Sequence, residues 1–314
     1  MEVKLNKFGR IGILMGGPSS EREISLKSGK AVYEAFRQMG VEAIPIDVKT
    51  DNIEENTNLI KSKNINCAFI ALHGRFGEDG TIQQILEGLS LAYTGSGVSA
   101  SKLAMDKIAS RKIFEKNGLM VPRFKEIKKS SLNNNSEIKN IFGFPVVIKP
   151  VSQGSSLGLS IIKTEEDLNS AIDFAFKFDE RAIIEEYIRG RELTVGILDN
   201  LALPVIEIVP KKMFFDFEAK YKPGLTDYIV PAELEEVIAK KTMAAALLAH
   251  KLLGCFGCSR VDIILSEDSH PYILEINTIP GLTSTSLLPK AAKTLGIEFG
   301  DLCVKLIELA YEKK

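Results

Sequence analysis

Lys149 closes an apolar run, Phe144-Pro145-Val146-Val147-Ile148-Lys149-Pro150, and a Gly/Ser loop follows, Ser152-Gln153-Gly154-Ser155-Ser156-Leu157-Gly158. Small residues let backbone N–H groups approach a ligand closely, and successive N–H groups form an anion-binding nest. Serine hydroxyls add further donors. The loop has neither the G-x-x-x-x-G-K-[ST] nor the G-x-G-x-x-G pattern. On these residues alone it is an anion site or a surface hairpin.

A second group is acidic. Arg260-Val261-Asp262 and Glu275-Ile276-Asn277 each place polar residues at i and i+2, on one face of a strand. If the two strands pair, Asp262, Glu275 and Asn277 gather oxygen donors on that face. Such a set, with few carboxylates, suits Mg²⁺ carried together with nucleotide phosphates. The competing reading is a solvated sheet face with Asp262 paired to Arg260.

Elements must position these groups. Ile11–Met15 reads as a buried strand, Gly16-Gly17-Pro18-Ser19 as a turn, and Ser20-x-x-Glu23 has capping-box spacing. Apolar residues from Ile24 to Met39 then recur at helical spacing up to Gly40. Strands are predicted near Ala43–Val48 and Cys67–Leu72, with a helix near Thr81–Gly88. This alternation predicts a parallel sheet covered on both faces. After Gly97 come helical sequence to Gly118, an extended stretch from Val121, and the polar run Lys128–Asn135. Strands follow near Leu159–Ile162 and Ala182–Tyr187, with a helix started by Thr164-x-x-Asp167. The final third predicts strands near Leu193–Leu198, Val205–Val209, Arg260–Leu265 and Tyr272–Ile276. A polar loop about Lys211–Tyr228, a helix near Ala232–Leu253 and a C-terminal helix complete it.

The 314 residues leave room for roughly two domains. Lys plus Arg is 40 against 41 acids, a net charge of −1, which argues against a nucleic-acid or anionic-membrane partner. No apolar run approaches the roughly 18 residues of a membrane span. Met1–Lys7 has no apolar core, so no secretory signal is expected. Cys67, Cys255, Cys258 and Cys303 lack the further Cys or His pair of a zinc site and read as structural thiols.

The Gly/Ser loop, the strand lysine and the paired acidic strands together resemble the ATP-grasp enzymes. Four blocks stand in the order of the D-alanine–D-alanine ligase family. They are Gly16-Gly17-Pro18-Ser19-Ser20-Glu21-Arg22-Glu23, His73-Gly74-Arg75-Phe76-Gly77-Glu78-Asp79-Gly80, Tyr93-Thr94-Gly95-Ser96-Gly97 and Glu275-Ile276-Asn277-Thr278-Ile279-Pro280-Gly281. The resemblance implies an α/β chain, α+β in its ATP-grasp part. An N-terminal parallel-sheet domain would occupy 1–95, a central ATP-grasp subdomain 96–187 and a C-terminal metal-binding part 188–314. It implies ligation of two D-alanines through a D-alanyl phosphate, with ATP giving ADP and phosphate, for peptidoglycan precursors. A cytoplasmic bacterial homodimer is implied, as is freedom from membrane and nucleic acid. The alternative is a related ligase taking D-lactate or D-serine second.

Residue by residue, the resemblance places Lys107, Lys149 and Lys220 on the phosphates and Asp262, Glu275 and Asn277 on two Mg²⁺ (or Mn²⁺) ions. Ser155 and Ser156 would lie over the nucleotide. Glu185 and the backbone of Glu186 and Ile188 would meet adenine, and Glu192 the ribose. Glu21 would hold the first D-alanine's ammonium, latched by Ser155 and Tyr221, with His73 nearby. Arg260 and the N–H of Gly281 would face the oxyanion. Ser286 and the N–H of Leu287 would hold the second carboxylate. A dinucleotide-dependent oxidoreductase is the alternative from another class. The strand, Gly16-Gly17 and Asp47 suggest it, but the glycine spacing does not fit.

Overall fold

The computed structural model describes residues 5–131, 142–211 and 226–313. Three sheets are present among them. The first is all parallel, in the order β2–β1–β3–β4: β1 Ile11–Gly16, β2 Ala43–Val48, β3 Cys67–Ile70 and β4 Ala92–Tyr93. Strand alternation sends Ile11, Ile13, Cys67 and Phe69 to one face and Leu14, Ala68 and Ile70 to the other. Helices α2 (Ile53–Ser62) and α3 (Thr81–Gly88) cover the second face through Ile60, Ile82, Ile85 and Leu86. The first face lies under α1, Arg22–Met39, which contributes Val32 and Phe36. Gly40, at φ 73°, ends α1 by accepting the left-handed turn.

The capping box expected at Ser20-x-x-Glu23 does not form. Glu21 is the N-cap residue, and no side chain caps the helix. The neighbouring Ser19 hydroxyl donates to the His73 carbonyl at 2.6 Å and accepts the Glu21 N–H at 3.2 Å. Ser19 therefore joins the segment after β3 to the start of the helix.

Helices α4 (Val98–Met105) and α5 (Lys107–Lys116) follow, separated at Asp106. Its extended backbone breaks the run, and its carboxylate accepts the N–H groups of Ile108 and Ala109. The second sheet has the order β5–β8–β6–β7: β5 Phe124–Lys128, β6 Val146–Pro150, β7 Ser160–Ile162 and β8 Arg181–Glu186, all antiparallel. Helix α6, Leu168–Ala175, packs Leu168, Ala171 and Ile172 on it. Most of the polar run after Lys128 lies outside the described residues.

The third sheet has the order β12–β11–β9–β13–β14, with β10 on β9. Its strands are β9 Gly190–Leu198, β10 Leu201–Ala202, β11 Ile206–Pro210, β12 Thr226–Ile229, β13 Cys258–Ser266 and β14 Pro271–Asn277. Residues 226–229, expected in the polar loop, pair with β11, because Tyr228 opposite Ile208 extends its apolar face. Helix α7, Glu236–Leu252, closes one face. The single C-terminal helix expected is two, α8 Leu287–Lys293 and α9 Phe299–Glu312, divided around Gly296 at φ 78°. Helix α9 does not stay with the third sheet. Leu302, Leu306, Ile307 and Ala310 join Ile11, Ile13 and Phe69 in one core.

All four cysteines are free and buried, and burial pushes the Cys67, Cys255 and Cys258 thiols up to about 12. They serve as small apolar residues.

Candidate active site at the junction of the three sheets

Two cavities open between the sheets. Glu21, His73, Glu78, Ser155, Arg260, Asn277, Gly281, Ser286 and Leu287 line the first. Lys149, Ser156, Glu185, Glu186, Ile188 and Glu192 line the second. Lys107, Gln153, Asp262 and Glu275 border both. Seventeen of the nineteen sequence-predicted site residues are therefore brought together. Lys220 and Tyr221 lie outside the described residues.

The register of β13 on β14 sets the acidic wall. Arg260 lies opposite Asn277 and Asp262 opposite Glu275, with a bulge after Asp262. All four point to the same side because their positions differ by two. The alternative raised from sequence is also present. Arg260 donates to both oxygens of Asp262, from Nε and Nη2 at 2.8 Å each. Thr194 adds a 2.7 Å hydrogen bond to the same carboxylate. Lys107 Nζ lies 3.3 Å from Glu275 Oε2, and the Asn277 side-chain oxygen accepts the Ile279 N–H at 2.9 Å. The oxygen cluster and the salt bridge to Arg260 are one arrangement.

The Gly/Ser loop adopts a conformation that L-residues rarely take. Ser155 and Ser156 have φ values of 52° and 57°, each costing about 1 kcal/mol relative to an unstrained backbone. Contacts hold the loop there. Ser155 donates its hydroxyl to Glu21, Lys107 Nζ donates to the Gln153 carbonyl at 2.6 Å, and the Gln153 amide donates to the Phe178 carbonyl at 3.0 Å. A Cβ on Gly74, at φ 73°, would come within 2.7 Å of the Glu21 carboxylate, so only glycine leaves it room.

His73 is buried and its tautomer follows from its neighbours. Nδ1 faces the Ile279 carbonyl at 3.0 Å, which can only accept, so Nδ1 carries the proton. In the neutral ring Nε2 then accepts from the Ser28 hydroxyl at 2.9 Å. Glu78 stands beside it and beside Glu21. Burial pushes its carboxyl up, although His73 opposes the shift.

The base of the second cavity holds a charge cluster. Glu185 contacts Lys149 at 2.9 Å through one oxygen and Arg111 through the other. Burial alone would push the Glu185 carboxyl up, but Arg111 and Lys149 hold it below its ordinary value. Burial lowers Lys149 despite Glu185. At the rim, the Glu186 N–H donates to the Arg123 carbonyl at 3.0 Å. Ser286 is the N-cap residue of α8, and its hydroxyl accepts the Thr283 N–H at 3.1 Å.

The sequence reading missed Arg111 and gave Glu78 no role. Arg111 had a signal. Lys107, Ser110, Arg111 and Phe114 recur at helical spacing and are all buried on α5, so the helix presents an arginine on its inward face. Asp47, the residue behind the dinucleotide alternative, is held by Arg22 at 2.9 Å, and a Cβ on Gly16 would strike both side chains.

Comparison with known proteins agrees with this geometry. The family described as D-ala D-ala ligase C-terminus matches residues 113–308, and D-ala D-ala ligase N-terminus matches residues 49–96. A D-alanine–D-alanine ligase of Pelotomaculum thermopropionicum is 49% identical over 96% of this chain and 97% of its own. A D-alanine–D-alanine ligase of Bacillus anthracis, solved in complex with ATP, is 35% identical, covers 96% of this chain and 97% of its own, and superposes with a TM-score of 0.84. The VanG D-Ala:D-Ser ligase of Enterococcus faecalis is 32% identical, covers 96% of this chain and 99% of its own, and superposes with a TM-score of 0.82.

Proposed function

This chain belongs to the D-alanine–D-alanine ligase family, and on that premise we propose how its residues divide the work of joining two D-alanines with ATP. The observation that carries the reading is the shared wall. Lys107, Gln153, Asp262 and Glu275 border both cavities, so a phosphoryl group leaving a nucleotide in one meets a carboxylate held in the other.

ATP takes the second cavity. The Ile188 N–H and the Glu186 carbonyl meet the adenine edge beside Glu185, and Glu192 accepts from the ribose. Lys149 and Lys107 neutralise phosphate, with Ser155 and Ser156 closing over it and Lys220 reaching the γ-phosphate. Attack of a carboxylate on a triphosphate brings anions together, so these cations lower the barrier.

D-alanine takes the first cavity. Glu21 accepts a charge-assisted bond from its ammonium, near His73. Its carboxylate attacks the γ-phosphorus, giving the D-alanyl phosphate and ADP. The second D-alanine, its carboxylate held by Ser286 and the Leu287 N–H, attacks the acyl carbon through its amine. Arg260 and the Gly281 N–H stabilise the oxyanion, and phosphate leaves. Ser155 and Tyr221 latch the site over Glu21 and exclude water from the acyl phosphate.

The donor set fits a divalent cation. Asp262 and Glu275 offer carboxylate oxygens on the shared wall and Asn277 an amide oxygen beside them in the first cavity, the chemistry of sites that take Mg²⁺ with nucleotide phosphates. Two Mg²⁺ (or Mn²⁺) ions bound there would supply positive charge to the phosphates. Lys107 and Arg260, now paired with Glu275 and Asp262, would then turn toward substrate anions.

D-alanine is favoured as second substrate over D-lactate or D-serine, because the relatives of 45–49% identity are named for it. The reading extends to a bacterial cytoplasmic homodimer that serves peptidoglycan synthesis. It divides the chain at 1–95, 96–187 and 188–314. None of the helices described is long and apolar enough to cross a membrane. Incubation with ATP, Mg²⁺ and D-alanine should release phosphate and yield the dipeptide. Phosphate release no higher than without amino acid would overturn the reading.

A further inference from the structure

Arg111 lies outside both cavities, yet it is fully buried. Its Nε and Nη2 donate to the Leu274 carbonyl at 3.3 and 3.0 Å, and Nη1 contacts Glu185. The guanidinium also stands over the Phe124 ring at 5.9 Å. One residue of α5 is thus bonded to β8, through Glu185, and to β14, through the residue that precedes Glu275. It sits one turn beyond Lys107 on the same helix, so the helix sends one cation to the shared wall and a second behind it.

The charges around Lys149 are Arg111, Glu185, Lys107 and Glu275. Among the described residues, three cations, Lys149 included, face two anions, a net charge of +1. Glu185 and Glu275 would otherwise cancel Lys149 and Lys107. A buried net charge is expensive unless an anion compensates it. Lys149 and Lys107 line the nucleotide cavity and Arg111 does not. The compensating anion is therefore met by the lysines, while the arginine supplies the surplus.

We propose that Arg111 is a positioning residue for the nucleotide: it holds and neutralises Glu185 from behind, so that Lys149 presents an unspent positive charge to the phosphates. This rests on the reading of the second cavity as the ATP site. A phosphate approaching Lys149 then meets a cluster of net +1. Replacing Arg111 by a neutral residue leaves a cluster of zero net charge, in which Glu185 alone claims Lys149. The carbonyl of Leu274 ties the same group to the strand that carries Glu275, so the nucleotide and metal walls share one buried anchor.

The test uses the full chain with Arg111→Gln, which keeps a donor for Leu274 but removes the charge, and Arg111→Lys, which keeps the charge. Folding is checked by circular dichroism and thermal melting. Arg111→Gln is expected to raise KM for ATP and weaken MgADP binding about 10- to 100-fold, the effect typical of losing a supporting partner. KM for D-alanine should not move. Arg111→Lys should stay near wild type. Arg111→Gln combined with Glu185→Gln restores a net charge of +1 and should recover much of the lost MgADP affinity. A folded Arg111→Gln with unchanged KM for ATP, an equal rise in both KM values, or a double variant no better than the single would each overturn the proposal. If neither single variant folds, the double variant compared with Glu185→Gln alone decides it: MgADP binding weaker in the double supports the charge account, and equal binding defeats it. Lys149→Met separates the two readings. If it too leaves KM for ATP unchanged, the assignment of the cavity fails; if it raises KM and Arg111→Gln does not, only the role of Arg111 fails.

Discussion

The Ser155 hydroxyl donates to the Glu21 carboxylate, joining the strained Gly/Ser loop to the start of α1 across 134 positions of sequence. Neither partner is exposed, and Gly74 leaves the carboxylate just enough space. The Gly/Ser loop and the start of α1, both lining the first cavity, are thereby set together.

Glu21→Gln keeps the hydrogen bond with Ser155 but removes the charge. A charged hydrogen bond is worth about 1.5–3 kcal/mol, so KM for D-alanine should rise about 10- to 100-fold. Steady-state kinetics with each substrate varied in turn should show KM for ATP unmoved. Equal losses for both substrates would exclude Glu21 as an ammonium acceptor.

Glu275→Ala removes an oxygen donor from the shared wall and frees Lys107 from its 3.3 Å partner. Loss of an outer-shell partner of a metal typically costs about 10- to 100-fold, and loss of a direct ligand should exceed it. Phosphate release at saturating substrates measures this. Chelation of divalent cations should abolish wild-type turnover, and added Mg²⁺ should restore it.

His250 on α7 is buried beside Ser259, 2.7 Å from its hydroxyl. Burial holds the ring down to about 4, from 6.5. The folded value lies below the unfolded one. Its contribution is therefore complete above about pH 6.5 and is lost as pH falls toward 4. Between pH 7 and pH 5 that loss is about 2 kcal/mol. Urea unfolding at the two pH values should show a smaller loss in His250→Asn than in wild type; parallel losses would count against it.

Phe36 meets Phe69 edge-on, with ring centroids 5.6 Å apart and planes at 79°, and both are fully buried. Phe36→Ala should destabilise the protein by about 3–5 kcal/mol, the usual consequence of an aromatic-sized cavity. Denaturant unfolding measures it. The folded variant should keep wild-type KM values at 25 °C, since neither ring lines a cavity.

Much of this was legible in the sequence. Alternation placed Ala43–Val48 and Thr81–Gly88 at their observed bounds, because Ile44, Ile46 and Val48 recur at strand spacing and Ile82, Ile85 and Leu86 at helical spacing. The i, i+2 spacing put Arg260 with Asp262, and Glu275 with Asn277, on one face of each strand, and the two strands do pair. What stayed hidden depends on long-range partners. Glu21 rather than Ser20 is the N-cap residue of α1, and the neighbouring Ser19 bonds the His73 carbonyl, a partner 54 positions away and invisible locally. Tyr228 reads as loop until β11 supplies a partner. Arg111 resembles any other helix cation until Glu185 and Leu274 surround it.

The packing of α9 on the first sheet carries a consequence for how the protein is made. Ile11, Ile13 and Phe69 are covered by Leu302, Leu306 and Ala310, and the Tyr311 hydroxyl donates to the Phe8 carbonyl 303 positions away. During synthesis the first sheet leaves the ribosome long before the helix that shields it. Until then α1 alone covers that face, because the contacts with α9 join residues as far as 303 positions apart. The parallel sheet at the start of the sequence is therefore among the last parts to reach its final stability, and a chain halted before residue 299 would leave Ile11, Ile13 and Phe69 without the part of their cover that α9 supplies.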